Sequence, residues 1–568
     1  MSRKVIETTR EDVVEALEAV MRGLDPQARA VVGFLQLKLE ATECQLSDAL
    51  IMVDKLKDEV GALKDEIALL KKGNKRPKIK PERQKKKGKL NSKLGQKRPG
   101  SCKRSKTVNL KIDETQVVRP AGLPEGARLR RRRAYVVQEL YIKTHNVRYI
   151  LEDYETAEGV ELKAQLPAGV CRGHFGQGVV SIILYLHHQC QVTQPRLLEC
   201  LREVGLDISA GGLNDILLLN HEVFHKEKED ILREGLSRSS YIQTDDTGAR
   251  HAGQNGYCTY IGNEFFAWFG SAKSKSRESF LKALSGSEEL YRLDTVALKY
   301  MAHQKLPKTL LRRLEQVLES SGEQSFAQLS QWIDWLKSQA CVSFRHIRIA
   351  SEGALLAGAI SLGLNERLAI LSDDAGQFNL PLLLHGLCWI HEERHLKKLL
   401  PTHKLARKAQ EQVIDDFWKL YERMKEYRKN PTAELKAAIT QEFKDLCCRD
   451  TPLQTLNLAL KRLYKKKDEL LLFLELPLLP LHNNTAERDI RDFVTKRKIS
   501  GGTRSPLGLQ ARDTFTSLKK TCRKHGISFW HYLTDRISQK NNIPPLALLV
   551  RNALIKHHHP PNPLPSIP

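Results

Sequence analysis

His482-Asn483-Asn484-Thr485-Ala486-Glu487-Arg488-Asp489-Ile490-Arg491 is the stretch against which the rest of the chain is read. It predicts a helix over Ala486–Lys496 and places one carboxylate, Glu487, on its first turn among basic residues. Upstream, two aspartate pairs close short apolar runs. Asp245-Asp246 follows Tyr241-Ile242-Gln243, and Asp373-Asp374 follows Leu368-Ala369-Ile370-Leu371. Acids at strand end, strand end and helix are the pattern expected of a two-metal site for phosphodiester chemistry.

That chemistry needs an activated water or 3′-hydroxyl and a stabilised leaving oxygen. Two Mg²⁺ about 4 Å apart can supply both. Mg²⁺ takes oxygen ligands and keeps some waters, so a few carboxylates suffice. Each acid also has a plainer role. Asp-Asp after a strand often bonds its own backbone in a turn. Asn484 with Glu487 fits a capping box. Three such features in this order, in a chain of net charge +25, favour the metal site.

The charge makes an acidic polymer, and first of all nucleic acid, the expected partner. A membrane surface is the rival, but the longest apolar stretches, Val179–Leu186 and Leu470–Leu481, are too short to cross a bilayer. Eleven cysteines without framework spacing fit reduced thiols in a cytosolic compartment. Apolar residues make up 41%, enough for several packed domains in 568 residues.

The fold class expected is α+β and multidomain. Residues 1–72 carry a short helix and then six heptads, with Val32, Leu39, Leu46, Val53, Val60 and Ile67 at a and Leu56, Leu63 and Leu70 among the d positions. That seam predicts a parallel homodimeric coiled coil, or a higher assembly, against the plainer reading of a helix packed on its own chain. Residues 73–106, with Lys85, Lys86 and Lys87, are too basic and too poor in apolar residues to fold alone, and read as a phosphate-binding arm. Residues 107–160 alternate like strands (Tyr135–Leu140, Val147–Leu151) around the basic run holding Arg130 and Arg131, which reads as a small β module. Residues 161–238 predict three short helices with turns, suited to a helix-turn-helix-like DNA-binding module. The catalytic core is expected in 239–395 and 474–535, interrupted by a helical insertion over 396–473. A C-terminal tail follows over 536–568. Within the core, Phe344–Ala350 reads as an apolar strand.

Basic residues crowd the Glu487 helix: Arg488, Arg491, Arg497 and Lys498, followed by Gly501-Gly502-Thr503-Arg504. All are candidates for DNA contact. The glycine pair fits a phosphate cradle and a helix C-cap equally. Cys388 and His391, three apart, could form half a zinc site with Cys171 and His174 as the other half. The pairs are far apart in sequence, so no zinc is expected. Cys388, His391 and Arg394 are taken as supports beneath the acids.

These residues carry a resemblance. Asn483 to Arg491, followed by Arg497-Lys498 and a Gly-rich turn, resembles the third acidic motif of bacterial transposases of the insertion sequence sixty-six family. Asp245-Asp246-Thr247 and Asp373-Asp374-Ala375-Gly376 resemble the first and second. Cys388-Trp389-Ile390-His391-x-x-Arg394 resembles the stretch after the second, and Cys522–Gly526 with Tyr532-Leu533 the closing helix. The resemblance implies a ribonuclease-H-like core with the catalytic, metal-binding triad Asp245, Asp373 and Glu487. Asp246 and Asp374 stay open as alternates. It implies Mg²⁺, with Mn²⁺ as a substitute, cleavage at element ends and strand transfer into target DNA. It also implies companion transposition proteins and a cytoplasmic, nucleoid-associated bacterial location. The cysteine-rich zinc module of some relatives has no counterpart here, since only Cys102 lies between Lys71 and Val170. The competing readings are a non-catalytic architectural DNA-binding protein on the same fold and a metal-dependent nuclease.

Overall fold

The computed structural model describes residues 111–558 except 123–124, 126, 168–173, 287 and 402–403, together with a few positions between Asp25 and Leu46. Residues 1–138 and 139–568 are separate units. In the first, Val31, Val32, Leu35, Thr42 and Leu46 are helical. The rest of the heptad seam and Lys85, Lys86 and Lys87 lie outside the described residues. Arg130 and Arg131 are exposed in a segment without regular secondary structure.

The strands expected at Tyr135–Leu140 and Val147–Leu151 are not formed. Tyr135, Val137, Leu140 and Ile150 are exposed, and a strand that buries no face has little to hold it. A two-residue ladder, β1 (Tyr154–Glu155) with β2 (Glu161–Leu162), is what stands in place of the β module.

Four helices follow: α1 (Gln177–His188), α2 (Gln194–Glu203), α3 (Ala210–Leu218) and α4 (Glu222–Arg238). The first three answer the expected helical module. The third, whose apolar pattern in the sequence runs over Leu213–Phe224, ends at Leu218, and Asn220 takes a positive φ before Phe224.

The core sheet then begins with β3 (Tyr241–His251), β4 (Gln254–Gly262) and β5 (Ala267–Ala272), an antiparallel meander. An excursion follows: α5 (Arg277–Ser285), β6 (Tyr291–Leu293), α6 (Thr295–His303), α7 (Lys308–Ser321), β7 (Gln324–Phe326), α8 (Leu329–Ser338) and α9 (Phe344–Ser361). The run expected as a strand from Phe344 is therefore helical. Its apolar residues continue through Leu355, Leu356 and Ala359 at helical spacing, a longer pattern than the short strand-like window showed. Gly358 lets α9 approach β6, since a Cβ there would sit 1.9 Å from Leu290 O.

The chain then adds β8 (Ala369–Ser372) and β9 (Leu384–Leu387), both parallel to β3, for a sheet order of β5-β4-β3-β8-β9. A helical block comes next: α10 (Trp389–Lys398), α11 (Lys404–Lys429), α12 (Ala433–Cys447), α13 (Gln454–Lys465) and α14 (Lys467–Leu470). The last elements are α15 (Asn484–Ser500), α16 (Pro506–Lys524), α17 (Phe529–Ile537) and α18 (Leu546–His558).

Alternation along the strands divides the core between two faces. Ile242 and Ile370 join the large apolar cluster with α1–α9 and α16–α18. Tyr241, Ala369 and Leu371 point the other way, into the cluster of the helical block. α15 lies over the antiparallel half of that second face, packing Ala486, Ile490 and Phe493 on Cys258, Tyr260 and Phe269. The expected tail over 536–568 is corrected by α18. Leu546, Val550 and Leu554 share one face at four-residue spacing and are buried. Among the described residues no helix is long and apolar enough to cross a membrane.

Candidate active site

The register of β3 against β8 brings the first two acids together. Gln243 pairs with Leu371, the last pair of the parallel ladder. Two residues further on each strand stand Asp245 and Asp373, continuing the alternation that aims Gln243 and Leu371 to the α15 side. Asp245 is also the cross-strand partner of Tyr260, which packs under α15. β3 does not end at its aspartates, as the sequence suggested, but runs on to His251 and turns back into β4.

α15 is tied to β3 at its first turn. Gln243 Oε1 accepts from Ala486 N–H at 3.3 Å, and Gln243 Nε2 donates to His482 O at 3.4 Å. Asn483 Nδ2 donates to Thr244 O at 2.7 Å. Asn483 occupies the N-cap position without capping, and Asn484 is already helical, so the expected capping box with Glu487 is not formed. Glu487 instead accepts from Arg394 Nη1 at 3.2 Å and lies 3.5 Å from His391 Nε2. Two residues on, Asp489 is buried and accepts from Tyr260 Oη at 3.1 Å and Lys524 Nζ at 2.7 Å. Gln243, Asn483, Tyr260 and Asp489 were not singled out in the sequence. All four are buried, and their roles rest on long-range partners that the sequence does not show.

Asp245 stands among like charges. Its carboxyl is pushed up to about 7, chiefly by burial, with Asp373, Asp246 and Glu487 adding repulsion. The Asp246 N–H, 2.8 Å from its Oδ1, works against that shift. Asp246 points to the other side, accepting from Thr259 Oγ1 at 2.5 Å and Gln377 Nε2 at 3.0 Å. Asp374 is held by Lys466 and by Arg462 at 3.3 Å. The two alternates are thus engaged elsewhere; Asp373 accepts from Ala375 N–H at 3.2 Å and, with Glu487, is near enough to repel the Asp245 carboxylate.

Among the described residues no three His, Cys, Asp or Glu side chains are gathered closely enough to hold one ion as they stand. Glu487 is drawn to Arg394, and Asp245 to the neighbouring backbone. The donor set nonetheless fits a hard divalent cation: all oxygen, half-buried and mutually repelling.

Cys388 is buried, its thiol is pushed up by burial, and its Sγ accepts from Asn483 N–H at 3.2 Å. His391 has its basicity lowered by burial, and its Nδ1 has no protein partner. Cys171 lies outside the described residues. Arg488, Arg491, Lys498 and Arg504 are exposed. Arg497 is not free for DNA: it donates to Gly248 O and to Thr247 Oγ1. The glycine turn docks on the β3–β4 hairpin. Thr503 N–H donates to Arg250 O at 3.0 Å, and a Cβ on Gly502 would come within 2.3 Å of that oxygen. With Gly501 closing α15 at positive φ, this turn caps the helix and packs on the hairpin.

A sequence model described as the transposase IS66 family matches residues 370–511. That span runs from β8 into α16 and holds Asp373, Cys388, His391, Arg394 and Glu487. An uncharacterised protein of Sinorhizobium fredii, y4jO, is 39% identical over 323 residues, which is 56% of this chain and 99% of that protein.

Proposed function

The chain belongs to the IS66 family of transposases, and from that premise we propose that it is a DNA transposase whose catalytic acids are Asp245, Asp373 and Glu487. The observation that carries the reading is the β3–β8 register. It sets Asp245 and Asp373 two residues past one ladder pair, on the face that α15 covers with Glu487. The order of an antiparallel meander joined to two parallel strands agrees with a ribonuclease-H-like core.

Asp245, Asp373 and Glu487 would hold Mg²⁺, with Mn²⁺ as a substitute. Bound there, the metal ions lower the pKa of an attacking water or 3′-hydroxyl and neutralise the leaving oxygen. The protein's own part is positioning and charge. Gln243 and Asn483 fix α15 on β3, so that the third acid is held against the first. Arg394, beside Glu487, is placed to meet a phosphate oxygen. His391 at 3.2 Å from Arg394 Nη1 orients that guanidinium. Arg488, Arg491, Lys498 and Arg504 extend a basic surface from α15 along the path a DNA backbone would take.

DNA element ends and target DNA are the substrates. The basic arm with Lys85, Lys86 and Lys87, the run with Arg130 and Arg131, and α1–α3 would add contacts to the ends. The heptad seam would pair two copies, in a bacterial cytoplasm and near the nucleoid, with companion proteins of the element as further partners.

The test is cleavage and joining of labelled element-end DNA by the purified protein, with Mg²⁺ and with chelator, beside Glu487→Ala. Metal-dependent nicking at the end junction, joining to a second duplex and loss of both in the variant are expected. Binding without cleavage in the wild type would favour the architectural reading. Cleavage without joining would favour a nuclease.

A further inference from the structure

α9 returns the chain to the sheet, and its direction decides what its first turn can reach. Only a short link separates Ser361 from β8, and in that link Asn365 N–H donates to Leu236 O at 3.2 Å, near the end of α4 just before β3 starts. The C-terminal end of α9 therefore lies at the edge where β3 and β8 begin. Its N-terminal end points to the opposite edge, where Asp245 and Asp373 stand.

The middle of the helix shows how far it reaches. Glu352 Oε2 is 3.5 Å from Arg277 Nη1, and Arg277 Nη2 donates to Gly376 O at 3.2 Å, in the loop that follows Asp373. Glu352 is thus level with that loop. Phe344 lies two turns earlier, about 12 Å further along the axis. The first two turns of α9 therefore project past the carboxylate edge, from the sheet face opposite α15.

What the overhang presents is unusual for this helix. Residues 349–359 are buried throughout, but Val342 is 72% exposed and Phe344 is 84% exposed. Their neighbours Arg345 and Arg348 are exposed as well, Arg348 with its Nε 4.0 Å from Glu352 Oε1. A protein partner covering an apolar patch would have to bury the Arg345 guanidinium or supply an acid to pair it. A single strand of DNA meets the same surface without conflict. Base faces stack on an aromatic ring whatever their sequence, and phosphates pair with guanidinium.

We propose that Phe344, with Val342 beside it, is a stacking platform for an unpaired nucleobase next to the phosphodiester under attack, and that Arg345 and Arg348 hold the flanking phosphates. The proposal rests on the reading of the carboxylate edge as the place where DNA is cut.

The test is equilibrium binding of the full-length protein to two single strands of equal length and charge, one of thymidines and one abasic. The basic arm contributes equally to both, so their affinity ratio isolates stacking. The wild type is expected to favour the base-bearing strand by roughly tenfold. Phe344→Ala should bring the ratio to near unity with abasic binding intact, and Phe344→Trp should keep it. Arg345→Ala with Arg348→Ala should weaken both strands together. An unchanged ratio in Phe344→Ala overturns the proposal. So does a change in sedimentation of that variant with no change in ratio, which would give the patch to a second copy of the chain. The end-cleavage assay separates the two readings. A Phe344-dependent ratio in a protein that never cleaves sustains the platform and removes the catalytic role. Cleavage with a Phe344-independent ratio does the reverse.

Discussion

Gln243 grips Ala486 across the gap between the central strand and the helix of the third acid, accepting its N–H at 3.3 Å. The same amide donates to His482 O at 3.4 Å, so one side chain fastens both sides of the helix start. Gln243 is also two residues before Asp245 on the same strand face, which makes it the shortest link between the first and third acids.

Gln243→Leu keeps the volume and removes both bonds. Leaving a buried N–H and C=O unpaired costs about 1–3 kcal/mol. A lower melting temperature and a ten- to hundredfold loss of end cleavage are expected, on the order of what a misplaced catalytic group costs. Thermal unfolding and single-turnover cleavage check the two parts. A full loss of stability with wild-type cleavage would remove the positioning role.

Asp245→Asn should stabilise the metal-free protein while abolishing cleavage. The carboxyl is raised from 3.8 to about 7 in the fold. The native state therefore binds more protons than the unfolded state between those values, and stability falls as pH rises through that window. Removing the charge should return on the order of 2 kcal/mol at pH 8 and less at pH 5. Unfolding in chelator at the two pH values is the measurement, and a destabilised variant at pH 8 would count against the repulsion.

Asp373 and Asp374 should separate cleanly. Asp373→Ala is expected to abolish cleavage. Asp374→Ala removes the partner of Lys466 and one of the two acids at Arg462, which also meets Glu392 at 3.2 Å; both cations come from the helical block. Its effect should be a looser block, read as faster hydrogen exchange in α13, with cleavage reduced less than tenfold, the range of a partly exposed ion pair. Equal loss of cleavage in both variants would contradict the assignment.

Acid should weaken the packing of α1 and α4 on α16. His188 stacks on Phe515 at 4.2 Å, His221 meets its edge at 5.0 Å, and His225 bonds Thr514 at 2.8 Å. Burial lowers the basicity of all three, and with nearby Lys496 brings the half-buried His187 down to about 4. Each ring is neutral in the fold and takes a proton on unfolding below its ordinary value of 6.5. Stability is therefore lost as pH falls from 6.5 toward 4, by at most about 3 kcal/mol from His187 and less for the solvent that reaches it. Melting temperatures at pH 7 and pH 5, beside His188→Phe, test this: the variant should lose less on acidification.

The elements that carry Asp245, Asp373 and Glu487 were legible because their signals are local. A short apolar run before Asp-Asp marks a strand, though for β3 not its end, and Glu487 sits in a dense polar motif. The partners of the alternates were not legible because they are long-range: one of those of Asp374 comes from α13, and those of Asp246 come from β4 and the loop at Gln377. β3 beyond Asp246 was invisible for another reason: Thr247-Gly248-Ala249-Arg250-His251 has no apolar alternation, and it is held as a strand by β4 and Arg497. α9 misled because its first residues, Phe344 to Ala350, have strand-like composition over too short a window. α18 was hidden by the Pro- and His-rich stretch after it, which lent its composition to the whole C-terminus.

The helical block between the second and third acids leaves the sheet and returns to it at one point. Trp389 N–H donates to Leu481 O at 3.0 Å, and Asn483 N–H to Cys388 Sγ at 3.2 Å. Departure and return are thus stapled side by side, whatever the chain does in between. A segment mounted this way can be lengthened, shortened or exchanged in evolution without moving Glu487 relative to Asp245. It is the natural place for such a chain to acquire a new partner while its cutting edge stays the same.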